Sequence, residues 1–116
     1  MKKRKRNHKD PFTTNIAINH PDVVRWPLKC RGVIDTGATR TSIDHGLAHT
    51  LNLESAGQVQ VKNANGVQKR KLVWAEIEVF DEIIVLKVSV TDRSSLSCPI
   101  LIGRDILQYN AYTEEE

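Results

Sequence analysis

Two runs of strict alternation on either side of Asn65-Gly66 restrict this chain more than any other feature. Val59 and Val61 precede the pair, and Val73, Ala75, Ile77 and Val79 follow it at every second position. A period of two sends successive side chains to opposite faces of a strand, so each run has one apolar face and one polar face. Asn-Gly accepts the positive φ angles of a type I′ turn, whose twist matches that of paired strands, and a β-hairpin is predicted. Asp81-Glu82 interrupts the pattern before Ile84, Leu86, Val88 and Val90 resume it, which adds a further strand to the same sheet.

The remainder reads as short elements in the same style. Thr13 to Asn19 is β-branched and extended, and Pro21 and Pro27 bracket a loop that carries Trp26. Leu28 to Ile34 forms a strand that runs into the small residues of Asp35-Thr36-Gly37-Ala38, a tight turn, and Thr41-Ser42-Ile43 continues as strand. Asp44 suits the N-cap of a short helix reaching Leu53, with Leu47, Ala48 and Leu51 on one stripe. Pro99 to Ile102 is apolar on both faces, as a buried central strand would be. Gly103-Arg104-Asp105 then opens a last short helix bearing Ile106 and Leu107. An all-β, barrel-like domain with one or two short helices is expected, and 116 residues leave room for one core.

Charge divides the chain into a basic arm over residues 1–12, the domain over 13–110 and an acidic tail over 111–116. Lys2, Lys3, Arg4, Lys5, Arg6 and Lys9 give the arm its charge, and Glu114, Glu115 and Glu116 give the tail its own. Such an arm is a solvated, disordered segment or a contact for RNA or an acidic surface such as a ribosomal protein. Cys30 and Cys98 lie in apolar stretches without zinc-ligand spacing and read as free thiols. With no signal-like segment and no membrane-length apolar run, a cytoplasmic protein without membrane contact is expected.

The chemistry resides in Asp35. A carboxylate that follows an apolar strand and precedes residues of little bulk can be held in a cleft close to a substrate. Two such carboxylates within hydrogen-bonding distance share a proton, so one activates water while the other protonates a carbonyl oxygen. Only one Asp-Thr-Gly is present, so the pair requires two chains related by a twofold axis. Thr36 would hold the two turns in register across that axis, and Gly37 would leave room for a substrate backbone. His45 and His49 share a helix face, but Gly46 stands where a zinc peptidase of the HExxH type places its glutamate. No metal and no cofactor is expected.

With the Asp-Thr-Gly turn, the Asn-Gly hairpin and the closing Ile100-Leu101-Ile102-Gly103-Arg104-Asp105 segment in that order, the chain resembles the retropepsin family. The resemblance implies a closed acid-protease barrel, a hairpin that serves as a flap, and a homodimeric aspartic peptidase with a peptide substrate. It extends to the retropepsin-like family encoded beside the RimK glutamate ligase, often labelled ATP-dependent zinc proteases. Four segments carry that narrower likeness: 34–38 with Thr41-Ser42, the 63–66 turn with Lys69 to Lys71, Val90 to Ser94, and Ile100 to Arg104. It implies hydrolysis of glutamate-rich tails such as those of a ribosomal protein. Ala38, Arg40, Asn65, Gly66, Lys69, Arg70, Arg93 and Arg104 would then contact substrate. Viral retropepsins pair the helix arginine with an acid shortly after Asp-Thr-Gly-Ala. Thr39 and Arg40 occupy that stretch here, which leaves Asp105, Asp92 and Asp44 as partners for Arg104. The competing expectation is a non-catalytic module of the same fold that binds nucleic acid or the ribosome.

Overall fold

The structure, a computed structural model, describes residues 12–114. Seven strands and two helices follow in the order β1 (Thr13–Asn19), β2 (Leu28–Ile34), β3 (Ser42–Asp44), α1 (His45–Thr50), β4 (Ser55–Asn63), β5 (Gly66–Val79), β6 (Glu82–Thr91), β7 (Ile100–Ile102) and α2 (Arg104–Glu114). The expectations for the basic head and for Glu115 and Glu116 fall outside the described residues.

The strands form one sheet in the order β1-β2-β7-β3-β6-β5-β4, and β1 pairs with β5 as well. That second pairing closes six strands into a ring and leaves β4 as the free arm of the β4–β5 hairpin. Closure removes sheet edges that would otherwise invite other strands. Two ladders are parallel, β2 with β7 and β3 with β6. The short β7, predicted as a buried central strand, lies between β2 and β3.

Alternation along β5 decides what is buried. Val73, Ala75, Ile77 and Val79 point inward and are almost wholly buried, joined by Ile18, Ile43, Val88, Ile100 and Ile102. Each fully buried isoleucine or valine contributes about 1.5–3 kcal/mol of transfer free energy. Ile106, the apolar position that α2 directs at the barrel, is also fully buried.

The turns differ from expectation in an informative way. The β4–β5 reversal is made by Ala64 and Asn65, with Gly66 opening β5 at φ 115°. The hairpin therefore turns one residue earlier than an Asn-Gly type I′ turn would place it. Positive φ at both central residues, the mark of a type I′ turn, is found instead at Phe80 (52°) and Asp81 (61°) between β5 and β6. Phe80 packs partly against the core, which offsets a backbone conformation that a bulky residue rarely adopts.

Asp44 is the N-cap of α1, its Oδ2 accepting from Gly46 N at 3.0 Å. The helix stops at Thr50 rather than Leu53, because Leu51 is its C-cap and Asn52 takes a left-handed φ of 53°. Among the described residues no helix is long and apolar enough to cross a membrane.

Candidate active site

β2 delivers Asp35 to the end of the barrel where β7 finishes. Asp35 N donates to Ile102 O at 3.0 Å, and Ala38 N closes the turn onto Asp35 O at 3.2 Å. The carboxylate folds back over the turn, where its Oδ1 accepts from Gly37 N at 2.9 Å. A Cβ at Gly37 would sit 3.2 Å from that same oxygen, so glycine keeps the approach open. Asp35, Thr36 and Gly37 are all exposed on the single chain.

Beneath the turn, the start of α2 acts as a brace. Arg104 N donates to Ala38 O at 2.8 Å and Asp105 N to Thr39 O at 3.3 Å. The Asp105 carboxylate accepts from Thr41 N at 2.9 Å and from Thr41 Oγ1 at 2.6 Å. Thr41 Oγ1 in turn accepts from Gly103 N at 3.1 Å. A side chain at Gly103 would lie 2.6 Å from the Arg40 carbonyl carbon. Only glycine permits this contact between two backbones.

The partner of Arg104 is none of the three acids considered from the sequence. Its guanidinium donates to Thr39 Oγ1 at 3.1 Å and to Thr36 O at 3.4 Å. Asp105 is engaged by Thr41, and Asp44 accepts from Arg93 N at 2.7 Å. Asp92 accepts from the hydroxyl and backbone of Ser94, which together hold its carboxyl below the usual range. Arg104 thus bonds the turn directly.

The β4–β5 hairpin arches over a cavity of about 440 Å³ lined by Ala38, Thr39, Arg40, Val59, Gln60, Val61, Lys62, Arg70 and Ser89. Ala38, Arg40 and Arg70, three of the predicted contacts, come together there. Lys62 joins them, and sequence reasoning missed it because it falls on the polar side of the Val59/Val61 alternation. No carboxylate lines this cavity.

The other predicted contacts lie elsewhere. Val59 pairs with Arg70 and Gln60 with Lys69, so adjacent basic residues of β5 face opposite ways, and Lys69 does not line this cavity. Asn65 and Gly66 are at the exposed hairpin tip. Arg93 is buried, and its Nε donates to Cys98 O at 2.9 Å, tying down the loop before β7.

A larger concavity of about 620 Å³ sits between β1, β2 and the β5–β6 turn, away from Asp35. Cys30 lines it, and burial, with a smaller effect from Cys98, pushes that thiol up to about 11. Among the described residues no group of three or more His, Cys, Asp or Glu side chains could hold a metal ion.

Residues 28–109 match the model of a family described as gag-polyprotein putative aspartyl protease. No curated protein matches the chain. Among solved structures, the chain is similar to the EIAV protease complexed with the inhibitor HBY-793, at a TM-score of 0.66 and 21% identity over 93% of this chain and 95% of that one. It is similar to the simian foamy virus (mac) protease, at 0.58 and 12% over 84% and 96%. The retroviral protease-like domain of Ddi1 from Leishmania major aligns at 0.53 and 14% over 86% and 75%. These likenesses give the barrel a retropepsin-like fold.

Proposed function

The chain belongs to the gag-polyprotein aspartyl protease family, and from that premise we propose that it is one half of a homodimeric aspartic peptidase with one Asp35 from each chain. The observation that carries this reading is the Asp35 carboxylate itself, oriented by Gly37 N at the exposed end of a braced turn beside a hairpin-covered cavity. Exposure suits a residue whose catalytic partner lies on another chain. With one carboxylate ionised and the other protonated, the first takes a proton from water as that water attacks the peptide carbonyl. The second gives its proton to the carbonyl oxygen. The first then passes its proton to the amide nitrogen while the second takes one back from a hydroxyl of the tetrahedral intermediate, so the C–N bond breaks, acid and amine are released, and the pair returns to its starting state. Thr36, next to Asp35 and equally exposed, would hold the two turns together across the axis.

The substrate we assign is an acidic, glutamate-rich peptide segment. Arg40, Lys62 and Arg70 line one cavity without a carboxylate among them, which favours anionic side chains beneath the hairpin. Lys69 and Arg93 are left out of this assignment because neither side chain lines the cavity.

Wild type and Asp35→Asn incubated with oligoglutamate-tagged and neutral peptides, followed by mass spectrometry, provide the test. Cleavage by wild type alone, faster on the acidic peptide, is expected. Equal cleavage by Asp35→Asn would remove the mechanism, and equal rates on both peptides would remove the substrate class.

A further inference from the structure

A second concavity, of about 500 Å³, lies outside the cleft between α1 and the base of the β4–β5 hairpin. Its floor is apolar, made by Ala48, Leu53 and Val73, all buried. Its rim carries His45, His49, Asn52 and Lys71, and no carboxylate lines it.

Three features of the fold bring this rim together. His45 and His49 are one helical turn apart and both exposed. Asn52, in its left-handed conformation, reverses the chain directly after the helix. Lys71 pairs with Gln58 one step along from the Val59–Arg70 pair, so the alternation that lines the cleft with Arg70 presents Lys71 on the opposite face.

The nearby acids are engaged elsewhere. Asp44 accepts from Arg93 N and Gly46 N, and Asp92, which feels His45, is hydrogen-bonded by Ser94.

We propose that this concavity is a docking site for an acidic peptide segment, separate from the cleft in which cleavage takes place. Imidazole and ammonium groups on the rim meet carboxylates, while the apolar floor takes the methylenes of the same side chains. An apolar floor also lowers the local dielectric and strengthens each charge contact, and salt weakens it. That the docked segment belongs to a substrate rests on the peptidase reading, whereas the binding itself does not.

The Asp35→Asn chain, which does not consume its ligand, is titrated with hexaglutamate at low salt while the histidine ring protons are followed by NMR. The His45 and His49 signals are expected to shift, hexaglutamine to leave them in place, and Lys71→Gln combined with His49→Gln to weaken binding about tenfold. Lys71→Arg retains the affinity, and Arg70→Glu in the cleft leaves the His45 and His49 shifts intact. Silent His45 and His49 signals, or a double variant that binds like its parent, overturn the site. Inorganic phosphate that saturates the same shifts at equal concentration also overturns it, because the site would then take a small anion rather than a peptide. Cleavage by wild type is measured in parallel, so an inert wild type with intact histidine shifts removes the peptidase reading alone.

Discussion

The Asp105 carboxylate accepts both the backbone N–H and the hydroxyl of Thr41, and through them fixes the strand that leaves the Asp35 turn. Replacement by alanine would orphan Thr41 N in a fully buried position, and about 1–3 kcal/mol of stability is expected to be lost in denaturant unfolding. Gly103→Ala forces a Cβ into the Arg40 backbone and is expected to cost about 1–3 kcal/mol by the same measurement. Cys30 supplies a pH signature. Its folded-state value of about 11 lies above the ordinary 9.0, so between those values the unfolded chain has released a proton that the folded chain keeps. Stability therefore declines as pH climbs through that window, and Cys30→Ala is expected to flatten the decline in thermal melts. At this scale the tight turn at Asp35-Thr36-Gly37 was legible because its small residues are contiguous. The bonding of Arg104 to Thr36 and Thr39 was not, because it joins residues more than sixty positions apart, and a list of acids gives no distances.

Elements were read most reliably where the side-chain period was clean. β1 and β2 have the ranges expected from their composition, and β5 buries the alternating residues that identified it. The turns were less legible, because Asn-Gly reports a tolerance for positive φ and not the residue at which the chain reverses. Phe80-Asp81 carries no such signal, since its strained backbone is sustained by packing of the Phe80 ring. Asp81→Gly removes part of that strain without touching the ring, and a gain of about 0.5–1 kcal/mol in unfolding free energy is expected. Adjacent basic residues posed a related problem. Lys69, Arg70 and Lys71 form one cluster in the sequence, yet a strand distributes them to two faces, and only Arg70 lines the cleft.

For the whole molecule, an all-β barrel was foreseeable from strand count and turn spacing, whereas the parallel ladders were not. β7 bonds to β2 and β3 across long stretches of chain, and local periodicity does not report such partners. The proposed dimer makes a prediction at this scale: activity per chain should rise with protein concentration and then saturate, and mixing wild type with excess Asp35→Asn should suppress it. A titration in which activity per chain stays flat from nanomolar upward, down to the detection limit, would argue for catalysis by single chains. The brace under the turn has a further consequence in time. Asp35 is made more than sixty residues before Ile102, Gly103, Arg104 and Asp105, which hold its turn. A growing chain therefore carries this turn without its brace until β7 and α2 arrive, and only then is the Asp35 carboxylate held in the geometry described above.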